Sequence, residues 1–300
     1  MPNYVTHHIF ATTVQRVTRD AIAHIAALYP AAYRWGAQGP DPLFYYHMPF
    51  PSAITRLAQR MHAEPPDRLF EALCAAAQQQ HDTAALAYVF GFCTHYALDR
   101  VTHPLIQAEA DRLALFRPGL SAAARHNTVE SDLDGVMIAE YITNDQSSFE
   151  AFRLLDPNAA ECTVFARTLS LAAKTAYGVH LSPAAVYRSL HDTRRVFHLA
   201  HGGLKARAHV ERLERLVGRA GMASSLIRPD EPLRSDCANV EHRVWQWEGQ
   251  DRTDSFFDLF DSAVPLALSL QRAVLDRYYQ EKPLDSRFFP TDFNGIKPKS

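Results

Sequence analysis

A chain of 300 residues that is 47% hydrophobic and 21% charged has the makeup of a globular protein with a real core, large enough for one big domain or two small ones. Its formal net charge of -2 removes any long-range attraction for nucleic acid or for an anionic membrane surface. Cys74, Cys93, Cys162 and Cys237 are scattered and form no CxxC pair, which excludes a disulfide framework or a thiolate zinc site and fits free thiols in a reducing compartment.

From the first residue onward, Met1 to Thr13 lacks a basic n-region and a continuous apolar run, and His7 and His8 interrupt what apolar character there is. The segment does not read as a signal peptide, no stretch reaches bilayer-crossing length, and a cytoplasmic protein is expected. Ala, Leu, Arg, Gln and Glu dominate, and these favour helix. Helices are expected over Thr13 to Leu28, Ser52 to His62, Asp67 to Gln79, Thr83 to Thr102 and Ser121 to Ile142. Gly36 to Pro51, rich in Pro, Gly and aromatics, reads as a loop, as does Arg228 to Asn239. Asn158 with Glu161 reads as a capping box on a helix that Gly178 ends. Ser182-Pro183 opens another, stopped by Gly202-Gly203. Ser255 with Asp258 opens a last one carrying Phe256, Phe260, Val264 and Leu268 on one face, with a kink expected at Pro265. No alternating run bounded by a hairpin turn such as Asn-Gly is found, so strands are not expected. The fold class is all-α: a single multi-helix bundle over residues 1–290, followed by a flexible tail over residues 291–300.

The chemistry concentrates in two helical segments. His95, Asp99 and His103 recur every four residues, a step that turns each side chain only ~40° from the last and sets all three on one stripe. An imidazole and a carboxylate one turn apart can grip a metal ion, and a third donor one turn on can reach a neighbouring ion. Pro104 disfavours helical geometry at His103, so the helix is expected to end or bend there and turn His103 towards a second metal. His126 and Glu130 repeat the spacing on another helix. Zinc takes neutral imidazole and carboxylate readily. A single such pair is common at protein surfaces. Two such helices in apolar settings are not, and Asp99 among Phe90, Phe92, Tyr96, Leu98 and Val101 would be costly without a partner.

Taken together, Thr6-His7-His8-Ile9-Phe10, Gln38-Gly39-Pro40-Asp41, Met61-His62, His95/Asp99/His103, His126-x3-Glu130, Asn239-Val240-Glu241-His242-Arg243 and Ser255-Phe256-Phe257-Asp258-Leu259-Phe260 resemble the bacterial zinc-dependent phospholipase C family. Its helical fold is shared with the S1/P1-type single-strand nucleases, and the likeness points to an uncharacterised, cytoplasmic-type branch. The resemblance implies a cluster of two or three zinc ions. Asp41, His62, His95 and Asp99 would hold one, with His47 the alternative to His62. His103, His126 and Glu130 would hold another, and His7 together with Asp99 a third. Secreted members complete the third zinc with a processed N-terminal residue. Here six residues precede His7, so His8 or His242 would complete it, or the centre would work with two ions. The resemblance further implies hydrolysis of a phosphodiester by metal-activated hydroxide, with Asp41 orienting the attacking water and a phospholipid or related headgroup ester as substrate. The aromatic run Leu43 to Phe50 would stand at the site mouth, able to receive acyl chains, a choline-like headgroup or a nucleobase; core capping is the plain alternative.

Other histidines offer no comparable partners. His81-Asp82 and His191-Asp192 are adjacent pairs, and neighbours on a helix point ~100° apart. Lys205, Arg207, Arg212, Arg215 and Arg219, interleaved with Glu211 and Glu214, read as a solvated helix face. The rival functions are a nuclease or nucleotidase, against which the missing basic groove argues, and a bundle with one structural zinc. Eight candidate ligands exceed the four that a structural zinc uses.

Overall fold

The computed structural model describes residues 4–143, 149–200, 202–216, 218–229 and 236–298. Among these the chain is all-α: α1 Tyr4–Val17, α2 Asp20–Leu28, α3 Pro30–Gly36, α4 Ala53–Ala63, α5 Asp67–Gln80, α6 Thr83–Phe116, α7 Ala122–Tyr141, α8 Glu161–Tyr177, α9 Pro183–Leu199, α10 Gly203–Leu216 and α11 Phe256–Gln280. No helix of the described residues is long and apolar enough to cross a membrane. Residues 230–235 of the expected 228–239 loop, and 299–300 of the expected tail, lie outside the described residues.

Local chemistry explains where expectation and structure part. The first helix starts at Tyr4 rather than near Thr13, because the Asp134 carboxylate accepts from the N–H groups of Val5 (3.3 Å) and Thr6 (2.8 Å) and so satisfies its first turn. The chain then breaks before Asp20, which takes a positive φ of 59°. Glu161 does not close a box with Asn158. Its carboxylate accepts from the Ala32 N–H at 2.7 Å and caps α3 instead. α6 neither ends nor turns away at His103, but runs on with Pro104 inside it to Phe116. One missing N–H costs less than the burial it would forfeit, since Leu105, Ile106 and Ala110 are all buried beyond it. The Ser255 box is as expected: Ser255 Oγ accepts from the Asp258 N–H, and Asp258 accepts from the Ser255 N–H at 2.8 Å. A short antiparallel hairpin was not expected: Trp245–Trp247 pairs with Gln250–Arg252. Glu248 (φ 49°) and Gly249 (φ 76°) supply the two positive φ values that Asn-Gly more often provides.

The chain divides into two compact units, each assembled from separate stretches of sequence. The first comprises Met1–Ile9, Thr102–Arg153 and Phe197–Asp261. Much of its framework is polar. Arg207 pairs with Asp132 at 2.5 Å, Arg243 with Glu109 at 3.2 Å, and fully buried Asn239 bonds the main chain of Arg243 in both directions at 3.0 Å. The Asn239-to-His242 motif is therefore a loop organiser, and His242 turns its ring to the Thr253 carbonyl.

The second unit comprises Phe10–Val101, Leu154–Val196 and Ser262–Ser300. Its core is aromatic: Tyr88 stacks on Phe165 at 4.9 Å, and Phe70, Phe92, Tyr96 and Phe293 meet edge to face. α3 and α6 touch through glycines. A Cβ on Gly36 would strike the Tyr88 carbonyl, and one on Gly91 would strike the Tyr33 carbonyl. That backbone-to-backbone approach lays the 37–41 turn across α6.

Candidate metal centre

Among the described residues each unit assembles a donor set of its own. In the second unit, donor atoms of Asp41, His62 and His95 lie within 4.8 Å of one another. His62 Nε2 is 3.0 Å from Asp41 Oδ1, while Asp99 Oδ2 is 3.1 Å from His95 Nε2 and 4.0 Å from His62 Nε2. All four residues are buried. Each arrives from a different device. Asp41 opens a short 3-10 helix, Asp41–Tyr45, straight after the glycine turn. His62 sits in the last turn of α4, which opens with a reciprocal Ser52/Thr55 capping box. Its Nδ1 lies 2.8 Å from the Ala58 carbonyl, which places the proton on Nδ1 and leaves the Nε2 lone pair for the cluster. His95 and Asp99 share one stripe of α6, as their spacing requires.

Two supports escape a reading by motif. Gly39 takes a φ of 52°, and a Cβ there would run into the His95 ring, so the turn that delivers Asp41 lies directly on that imidazole. The second support is the 291–296 segment. Composition marks it as tail, yet Asp292 and Phe293 are buried. Phe293 donates its N–H to the His62 carbonyl at 3.2 Å, Asn294 Nδ2 reaches the same oxygen at 3.1 Å, and the Phe293 ring lies 5.4 Å from His62 and 5.7 Å from His95. The only sequence signal for this is Asp292-x-Asn294-Gly295, a turn in which Asp292 accepts from the Asn294 and Ile296 N–H groups at 2.9 Å.

In the first unit, His103, His126 and Glu130 place donor atoms within 4.8 Å of one another. Glu130 Oε1 is 3.5 Å from His103 Nε2 and 3.2 Å from His126 Nε2. His7 lies in the same unit, buried on α1 directly after the turn that Asp134 caps. Asp134 extends the α7 stripe by another four residues beyond Glu130, a spacing visible in the sequence. His47 stands at the surface with a φ of 53°, its N–H held by Asp192 at 3.1 Å. Asp192 also accepts from Arg188 Nε at 2.9 Å, so the His191-Asp192 pair braces a loop.

Electrostatics fit a cation in both sets. Burial alone would raise the Asp41 carboxyl, but His95 and His62 outweigh it and hold Asp41 below the ordinary carboxylate range, while Asp99 pushes the other way. Glu130 is likewise held well below that range, the His126 and His103 rings beside it acting against its burial. Two buried aspartates facing two imidazoles, and a buried glutamate between two more, are nitrogen and oxygen donor sets that suit zinc and cost free energy without a counter-charge. The cysteines play no part: all four are free and buried, and burial pushes Cys74 up to about 12.

Residues 1–177 match the family described as zinc-dependent phospholipase C, a span that contains every one of these donors. The chain belongs to that family. No curated protein and no solved structure matches the chain. Membership makes it a zinc phospholipase-like hydrolase in outline and a lipid phosphoester its expected class of substrate.

Proposed function

We propose that this phospholipase C-family protein is a phosphodiester hydrolase that cleaves a phospholipid or related headgroup ester. Asp41, His62, His95 and Asp99 hold one zinc, His103, His126 and Glu130 hold another, and His7 belongs to a third where three ions bind. The observation that carries the reading is the pair of donor sets, one sealed and one with half-buried His126, too many ligands for a single structural ion. Zinc in such a centre lowers the pKa of bound water to about 7 and offsets charge on a phosphoryl group.

The chain's own residues supply position and exclusion. Asp41 is the group assigned to orient the attacking water, and its low pKa keeps it a carboxylate able to accept that proton in a hydrogen bond. His62, locked through the Ala58 carbonyl, and Gly39, seated on His95, fix the donors before substrate arrives. Phe44 lies 5.3 Å from the His62 ring, so the aromatic run after Asp41 forms a wall for an acyl chain or a choline-like group. Four buried free thiols favour a reducing, cytoplasmic setting.

The test is zinc per chain by elemental analysis, beside headgroup release from phosphatidylcholine and cleavage of a single-stranded oligonucleotide. Wild type is expected to carry two or three zincs and release headgroup. His126→Ala with Glu130→Ala should lose about one zinc and the activity. One zinc or none, unchanged by the double substitution, ends the hydrolase reading, and oligonucleotide cleavage in place of headgroup release replaces the substrate.

A further inference from the structure

Helix α10 is inside out. Its buried residues are Gly203, Arg207, Glu211 and Glu214, so the stripe at 207, 211 and 214 that faces the protein is charged. The outward face carries Leu213 at 53% and Leu216 at 80% exposure. The inward carboxylates are occupied. Glu211 pairs with Arg117 and, at 2.7 Å, with Arg215. Glu214 accepts from the Gly221 N–H at 2.9 Å and from Ser224 Oγ at 2.6 Å. The interleaved charges that look balanced in sequence are therefore sorted in space. Lys205, Arg212, Arg215 and Arg219 are exposed, and no described acidic side chain between 203 and 223 is.

The end of α6 continues this face. Leu115 and Phe116 are 78% and 70% exposed, and the Arg117–Glu211 pair ties them to α10. A groove of about 510 Å³ is lined by Phe116, Pro118, Leu120, Arg117 and Arg215 together. Three large apolar side chains this exposed, with Arg117 and Arg215 lining the groove beside Phe116 and Arg212 exposed on α10, need a partner that accepts both.

We infer that this face docks on an anionic lipid surface. Leu115, Phe116 and Leu216 enter the acyl boundary, and Arg212, Arg215 and Arg219 meet the headgroup phosphates. The net charge of the whole chain hides this patch: α10 and the turn after it expose Lys205, Arg212, Arg215 and Arg219, of which Arg215 pairs with Glu211, and on the α6 side Asp111 is exposed one turn before Leu115. A second copy placed face to face would oppose arginine with arginine, and nucleic acid would leave the leucines and Phe116 unserved. The face would dock whether or not the chain is a hydrolase, and its test needs no turnover.

Co-sedimentation of the full chain, with and without zinc, would be measured with phosphatidylcholine vesicles and with vesicles of phosphatidylcholine plus phosphatidylserine, at low and high salt. Wild type should bind the mixed vesicles, more weakly in salt. Arg212→Glu with Arg219→Glu should weaken binding by at least about twentyfold, taking roughly fivefold per cation lost. Leu216→Ser with Phe116→Ser should remove the salt-resistant remainder. Leu28→Ser, an exposed leucine of the other unit, should bind as wild type, and circular dichroism checks that every variant is folded. Absence of wild-type binding, equal binding by all variants, or dimerisation dependent on Leu216 in place of vesicle binding would each overturn the inference. Failure of headgroup hydrolysis would leave it standing.

Discussion

The donor sets of the two units solve one problem by different means. His126 and Glu130 come from a single helix, and His103 approaches the same glutamate oxygen, so one carboxylate organises the set. A quarter of the His126 side chain is exposed. The Asp41 set draws on a turn, a helix end and the middle of α6, and every member is sealed. A helix repeat supplies two of the three donors of the accessible set from local sequence alone. Sealing a set requires tertiary parts that bear no metal chemistry: here a glycine, a phenylalanine and an asparagine. The comparison implies a tightly held ion in the sealed set and a more exchangeable one in the open set.

The sharpest way to break that asymmetry is Phe293→Ala. Deleting a fully buried ring beside His62 and His95 should cost about 3–5 kcal/mol in denaturant melting. It should weaken zinc at the sealed set by about 10–100-fold, the effect of losing groups that orient metal ligands. Competition with a chelator, following His62 and His126 separately by NMR, reads both sets at once. Equal weakening of the two sets would show that Phe293 serves general stability and not the sealed set.

Gly39→Ala tests the same seal from the other side. The substitution forces a side chain into the positive-φ region and into the His95 ring, at about 3 kcal/mol for strain and overpacking together. Asp41 should be displaced, with headgroup hydrolysis lost more completely than zinc at the His126 set. Wild-type zinc content and rate in this variant would mean that the turn can move off His95 without consequence.

What the sequence makes legible follows from which interactions are local. The α6 and α7 stripes are readable because helical spacing alone brings His95 to Asp99 and His126 to Glu130. The all-α class is readable because propensity and caps agree along most of the chain, as the Ser255–Asp258 box illustrates. Pro104 misleads because a local penalty is overridden by burial on both sides of it. Glu161 misleads because its capping partner, Ala32, is 129 residues away. The 291–296 segment is illegible for the same reason: its polar, glycine-containing composition fits a tail, and only the fold brings it to His62. The charges of α10 fail differently. Their order was read correctly, but their direction depends on where Arg117, Gly221 and Ser224 lie.

The smallest expected effect separates the two units by pH. Asp134, which caps α1 just before His7, is pushed up to about 7 by burial, although the Thr6 hydroxyl and the Thr6 and Val5 N–H groups all favour its ionised form. Its native pKa therefore exceeds its unfolded value, so the native state holds the proton longer. The stability this gives is complete below the unfolded pKa of 3.8 and is lost as pH rises towards about 7. Asp41 moves in the opposite direction, below its ordinary value, and favours the folded state as pH rises out of the acid range. Between about pH 6 and 8 Asp41 contributes no slope, and Asp134 should lower stability by about 1 kcal/mol. Asp134→Asn keeps the shape and removes the charge, so its stability should fall less over that interval than wild type's in urea titrations of the zinc-free chain. Parallel curves would show that the buried carboxylate is ionised throughout. The cap on the His7 helix would then be a full charge at a helix N-terminus and not a group titrating near neutrality.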